Sequence, residues 1–238
     1  YTSKPIKIDG RLDDQAWAEV PAIPLQKVIT GGPPNQPTQV KVRWDRENLY
    51  VAFVCQDTDA WATMRKRDQH LWEEEVVEVF VDWDGDGRDY KEFEVNPLGT
   101  AVDLNIPHPK HGQLEKALAW NSRGWRWKVA VQGTPDNRND TDVRWVCEMA
   151  IPLRDLAPRA PRVGDVWRVN FYRIDRPNKS DPKADVQFSA WSWVKSGYHE
   201  PWRFGRLIFA ADPYHDDFSL HRDGQAPGPP WVAVGGQW

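Results

Sequence analysis

Residues 71–96 read LWEEEVVEVFVDWDGDGRDYKEFEVN, and here the side chains that could do chemistry are densest. A strand turns successive side chains to opposite faces. Over residues 76–82 this sets Val77, Val79 and Val81 on one face, and Val76, Glu78, Phe80 and Asp82 on the other. Beyond the turn the pattern repeats, with Phe93 and Val95 against Glu92, Glu94 and Asn96. The expectation is a hairpin that buries one face and presents carboxylates and an amide on the other as a polar surface for a ligand. Trp72 stands just ahead of it. An indole plate packs on apolar C–H groups while carboxylates and amides take hydroxyls, a pairing that suits an amphipathic ligand such as a sugar ring.

The turn DWDGDGRDY places Asp82, Asp84 and Asp86 at alternate positions with glycine between, like the opening of an EF-hand loop. The twelfth position holds Phe93, with Glu92 and Glu94 on either side, so the match is partial. A calcium ion on the three aspartates and an ion-free acidic turn are both open readings. Glu73, Glu74, Glu75 and Glu78 invite comparison with the paired acids of a glycosidase. Three successive glutamates on a connector are expected to form a solvated face instead, and no second strand supplies a partner acid at a defined distance. No Ser/His/Asp or Cys/His arrangement, HExxH or Gly-rich phosphate loop occurs. His108 and His111 are read as loop residues, and His199 as a structural hydrogen-bonder.

The elements that must position these residues are short strands. Alternating runs occur at 39–45, 49–56, 98–106, 125–133, 142–152, 165–175, 186–193 and 204–209, besides the two of the hairpin. A helical piece carries Trp17, and another follows at 153–156. Little helix and regular turn punctuation imply an all-β antiparallel β-sandwich of jelly-roll or immunoglobulin-like type. One domain over residues 1–210 and an irregular tail over 211–238 are expected.

With a net charge of −4, the chain lacks the basic field that nucleic acid or an anionic membrane surface requires. No apolar run is long enough for a helical membrane span, and no signal peptide is recognisable. Fifteen tryptophans against two methionines favour large rigid surfaces, most of them in the core. Cys55 and Cys147 sit in strand-like runs, as one disulfide or as two buried thiols.

The motifs IDGRLDDQAW, LYVAFVCQD, WEEEVVEVFVD, FEVNPLGT, EMAIP and HEPWRFG, in this order, resemble the family 9 carbohydrate-binding modules and the wider DOMON-like group. The resemblance runs from about Ile8 to Phe209. It implies a non-catalytic β-sandwich that clamps a terminal saccharide of a plant-type polysaccharide between two tryptophans, with no required cofactor and calcium as a structural ion in several members. Carried onto this sequence, it makes Trp72 the first plate, Glu78 an acceptor of sugar hydroxyls and Asn96 an amide contact. Trp191, with Trp193 as the alternate on the same strand, becomes the second plate, and Arg173 a polar floor residue. Glu94 stands where sugar-binding members tend to carry arginine. The resemblance also implies an extracellular or periplasmic setting and a polysaccharide-degrading enzyme as partner. DOMON-like haem domains supply the alternative, with Met64 and either His70 or a later histidine as axial ligands.

Overall fold

Antiparallel strands whose side chains alternate in polarity must bury one face each, and two such sheets stacked face to face satisfy both. A computed structural model of the chain describes residues 1–109 and 113–211. His111 and the segment beyond 211, expected as a tail, lie outside the described residues.

The strands are β1 (Ile23–Pro24), β2 (Gln26–Lys27), β3 (Thr38–Trp44), β4 (Asn48–Gln56), β5 (Val76–Asp82), β6 (Tyr90–Val95) and β7 (Ala101–Ile106). They continue as β8 (Arg126–Gln132), β9 (Arg144–Pro152), β10 (Val166–Asp175), β11 (Gln187–Ala190) and β12 (Gly205–Ile208). Among the described residues, helical structure is confined to α1 (Gln15–Ala18), α2 (Leu114–Leu118), α3 (Leu153–Leu156) and single 3-10 turns at Leu71–Glu73 and Pro201–Arg203. One sheet has the order β1-β3-β4-β9-β8; the other runs β2-β11-β10-β5-β6-β7, with β12 also paired to β10. Every pairing is antiparallel. The all-β sandwich expected from the strand pattern is the fold.

The interlayer core follows the alternation. Val77, Val79 and Val81 of β5, Phe93 and Val95 of β6, and Val169 and Phe171 of β10 meet Leu49, Val51, Phe53 and Cys55 of β4 and Trp145, Cys147, Met149 and Ile151 of β9. Cys55 and Cys147 are free, buried thiols. Burial pushes the Cys55 thiol up to about 12.

Both outer faces are covered as well. On the first sheet Trp17 of α1 packs with Ile6, Ala16, Tyr50, Ala52 and Ala150. Glu148 fixes this N-terminal arm, accepting hydrogen bonds from Trp17 Nε1 at 2.8 Å, Gly10 N at 2.6 Å and Asp9 N at 3.1 Å. On the second sheet the outward side chains Val76, Phe80, Tyr90, Val102, Leu104, Tyr172 and Ile174 lie under Leu71, Ala117, Val194 and Phe204. The hairpin's hydrophilic face is therefore enclosed rather than open to solvent, because the connectors 60–75 and 192–204 fold back over it.

Arg173 ties the two sheets together. Its side chain is on the interlayer face of β10, where Nη1 donates to Thr38 Oγ1 at 3.1 Å and to Gln56 O at 2.9 Å. Nη2 donates to Asp57 Oδ2 at 2.7 Å and Asp175 Oδ1 at 3.3 Å. Asp57 also accepts from Trp145 Nε1 at 3.0 Å. Removing one member of a buried ion pair strands the other charge and costs about 3–5 kcal/mol. Arg173→Met is expected to lower stability by that amount in urea unfolding, and adding Asp57→Asn to recover part of it. In the native protein neither cysteine is expected to react with a thiol reagent over minutes, and both should titrate once it is unfolded.

Candidate functional site

The candidate site is the outer face of the second sheet, at the end where β5 begins. The 3-10 turn Leu71–Glu73 delivers Trp72 there, half-buried against the outer apolar cluster. His70 stacks on its indole with centroids 4.6 Å apart and planes 17° from parallel. Arg176 Nη2 donates to Trp72 O at 3.4 Å, fastening the turn to the end of β10. Tyr198 is half-buried on the same face and stacks on Tyr172 at 3.9 Å. Its hydroxyl donates to Arg173 O at 2.9 Å.

Beneath these rings are the strand carboxylates. Glu78 faces Glu94 directly across β5 and β6, and also faces Tyr172 across β5 and β10. Glu78 is 1 % exposed and Glu94 0 %. Burial drives both carboxyls well above the ordinary carboxylate range, and neighbouring carboxylates add to it: Glu92 beside Glu78, and Glu78 and Glu92 beside Glu94. The mid-strand glutamates were expected on a ligand-accessible surface; they are instead inside the covered face.

Asn96 is also buried, and its amide is spent on structure. Nδ2 donates to Met64 O at 2.9 Å, while Oδ1 accepts from Leu98 N at 3.1 Å and Thr100 N at 2.9 Å. It closes the β6–β7 turn and anchors the connector that carries Met64. Arg173 points to the opposite side of the sheet from Glu78, so it cannot floor the same site; register decides this, since Arg173 pairs with inward Val77 and Tyr172 with outward Glu78.

The two alternate second plates separate. Trp191 packs against the interlayer core, with its ring 5.5 Å from that of Phe171. A Cβ on Gly205 would overlap this indole, so the β12 backbone is pressed against it. Trp191 and Trp72 thus lie on opposite sides of the second sheet and do not form a clamp. At Ser192 the chain turns onto the outer face. Ser192 N donates to Asn170 Oδ1 at 2.8 Å, and Asn170 Nδ2 donates to Ser192 O at 2.9 Å. Val194 is already part of the outer cluster. Trp193, between them, is 48 % exposed, with the Arg203 guanidinium 4.4 Å from its ring centroid.

The connector glutamates also depart from expectation. Only Glu73 is solvated; Glu74 and Glu75 are buried. Glu74 accepts from Thr63 N at 2.8 Å and Met64 N at 3.0 Å, and Glu75 from Trp61 N and Arg176 N, both at 3.2 Å. Pulling backbone N–H groups onto buried carboxylates is how this connector folds back over the sheet. Glu92, Tyr198 and Asn170 belong to the outer face although no motif marked them. Glu92 was legible from the alternation alone, whereas Tyr198 arrives through a loop with no periodicity. His199 behaves as expected, its Nδ1 lying 2.7 Å from Tyr90 Oη.

In the hairpin turn, Asp82, Asp84 and Asp86 each bring one oxygen within 4.8 Å of the others. Asp82 already accepts from Gly85 N and Gly87 N, both at 3.0 Å, and burial raises its carboxyl to about 6. These backbone donors close the turn, and Phe93 at the twelfth position faces the interlayer core. Met149 is fully enclosed in that core, and Met64 is half-buried against the outer cluster.

A family model described as "Carbohydrate family 9 binding domain-like" matches residues 8–211. The endo-1,4-beta-xylanase A of Thermotoga neapolitana is 34% identical over 207 residues, covering 84% of this chain and 16% of the xylanase. That of Thermotoga maritima is 23% identical over the same coverage. The chain spans about a sixth of the length of these relatives. Among solved structures, a family 9 carbohydrate-binding module from Caldicellulosiruptor kristjanssonii in complex with cellotriose superposes with a TM-score of 0.57 at 17% identity, covering 86% of this chain and 89% of that one. A putative carbohydrate-binding protein from Bacteroides uniformis gives 0.60 at 20%, covering 81% and 87%. At these identities the structural likeness is one of fold. Coverage of almost the whole sandwich by the family model decides the assignment: the chain belongs to the carbohydrate family 9 binding domain-like family.

Proposed function

We propose that this chain is a non-catalytic module that binds a saccharide on the outer face of the second sheet. The single observation that carries this reading is Trp72. It is a half-buried indole held by a 3-10 turn at the rim of that face, in a chain of the family 9 type. Trp193 is exposed on the segment that crosses to the same face, but Ser192 ties it to Asn170 opposite Phe80 and its ring packs on Arg203, towards the other end of β5, so the stacking role rests on Trp72. Axial C–H groups of a pyranose pack on such indoles, and its hydroxyls take hydrogen bonds from the groups that rim the face. His70, stacked on Trp72, and Arg176, bonded to Trp72 O, are polar groups beside the plate.

Relatives from Thermotoga are named as xylanases, and one Caldicellulosiruptor module was solved with cellotriose and again with glucose. Plant-type β-linked glucose and xylose oligosaccharides are accordingly the first ligands to try. The same likeness supports a setting beside a polysaccharide-degrading enzyme, outside the cell or in the periplasm. The haem alternative has one thioether, Met64, on this face, since Met149 is enclosed in the core; a Soret band in the purified protein would favour it.

Calorimetric titration with glucose, cellobiose, xylo-oligosaccharides and galactose tests the proposal. Cellobiose or xylo-oligosaccharides are expected to bind, and Trp72→Ala to weaken that binding at least tenfold while the far-UV spectrum is retained. Trp191→Ala is expected to lower Tm and to leave the affinity of the remaining folded protein near that of the wild type. Silence across the panel, or full binding by Trp72→Ala, would remove the proposal.

A further inference from the structure

An open cavity of about 620 Å³ lies at the edge of the second sheet, where β2 and β11 meet the segments 31–37 and 177–186. That volume is in the range of small-molecule sites. Its wall is polar, with Lys27, Asn35, Asn178, Asp185 and Gln187 lining it. These side chains hold one another in place. Asn35 N donates to Gln187 Oε1 at 2.9 Å, Lys27 Nζ to Asn35 Oδ1 at 3.0 Å and Asn178 Nδ2 to Asp185 Oδ2 at 3.1 Å. Each bond occupies one part of a side chain that has more to give. An amide keeps its N–H groups when its oxygen accepts, an ammonium carries three hydrogens, and a carboxylate has a second oxygen. Gln187, Asn35, Lys27 and Asp185 therefore offer donors and an acceptor in a fixed arrangement.

What this wall can hold follows from its charges. Lys179, which also lines it, turns its ammonium to Asp140 O at 2.6 Å, Arg138 O at 3.3 Å and Asp59 at 3.7 Å. Lys27 and Asp185 remain, opposite in sign, so neither an anion nor a cation is favoured. An apolar ligand would strip water from the amides and replace it with nothing. A sugar hydroxyl both donates and accepts, and so meets amide, ammonium and carboxylate together. Val186 gives ring C–H groups an apolar wall, and it packs in the same outer cluster as Trp72. Arg176 joins the two places: Nη1 donates to Pro182 O at 2.8 Å beside the cavity and Nη2 to Trp72 O. Phe188 of β11, paired with outward Ile174, is 45 % exposed, its ring edge-on to Tyr198 at 5.9 Å. Plate, exposed ring and cavity thus follow the strand order β10-β11-β2.

We propose that this cavity is a second saccharide subsite, through which the module reads a neutral oligosaccharide rather than a single sugar. One unit stacks on Trp72, the chain continues past Phe188, and a further unit sets its hydroxyls on Gln187, Asn35 and Lys27. The subsite rests on Trp72 being a saccharide plate, as proposed above, and adds to it a dependence on chain length.

The test titrates the full chain by calorimetry with glucose, cellobiose, cellotriose and cellotetraose, and with the xylose series of the same lengths. Affinity is expected to rise about tenfold from the single sugar to the longest ligand, the worth of one or two added hydrogen bonds. Gln187→Ala and Lys27→Ala should each bring the long ligands down towards the affinity of the single sugar. Both should keep the wild-type affinity for that sugar, together with the Tm and far-UV spectrum of the wild type, which separates a lost contact from a folding defect. Phe188→Ala is expected to weaken only the longer ligands. Affinity that does not change with length, or a rise that survives both Gln187→Ala and Lys27→Ala, overturns the subsite and leaves the Trp72 site standing. Silence with every ligand removes both.

Discussion

A carboxylate taken out of water needs a positive partner, a set of donors or a proton, because its self-energy in a low-dielectric interior is large. This sandwich is organised around that constraint. Acidic side chains are buried on the interlayer face at one end of β10 and on the outer face of β5 and β6. At the first place Arg173 reaches from one sheet to Thr38 and Gln56 on the other, so the charge compensation is also the bolt that sets the stacking of the two layers. At the second place the strands present three buried glutamates, and burial holds the Glu78 and Glu94 carboxyls well above the ordinary range.

The same chemistry shapes the connectors. Glu74 gathers the backbone N–H groups of Thr63 and Met64 and draws the segment before β5 over the outer face, while Glu75, beside Arg173 and Asp57, accepts from Trp61 N and Arg176 N at the interlayer edge. Asn96 completes the fold-back by holding Met64 O and the β6–β7 turn together. With the connector fixed in this way, Trp72 stands at the rim of the sheet rather than in either core. Rigid presentation of an aromatic plate lowers the ordering cost of stacking a ligand on it. The positions of Trp72 and Trp193 thus depend on hydrogen bonds made well away from either indole.

Residue patterns and residue roles were legible to different degrees. The alternation of β5 is reproduced residue for residue, Val77, Val79 and Val81 inward and Glu78 and Phe80 outward, because a period of two follows from backbone geometry alone. Exposure was not legible. Alternation shows that Glu78 and Glu94 leave the core face, but whether that second face meets water depends on loops distant in sequence. Trp191 and Trp193 differ by two positions and share a strand face by counting. β11 nonetheless ends at Ala190, and the chain turns over at Ser192, so one indole goes to the interlayer core and the other to the outer rim. Counting fails where the strand stops.

The sequence by itself determined the sandwich, its family and the two faces of each strand, since polarity period and turn residues act locally. Only the tertiary structure decided that the carboxylate face is roofed, that Arg173 bridges the layers, and that Trp191 is not opposite Trp72. Those outcomes rest on contacts between segments as far apart as residues 57, 96 and 173, and no local pattern encodes which of them supplies the cover, the charge or the donor.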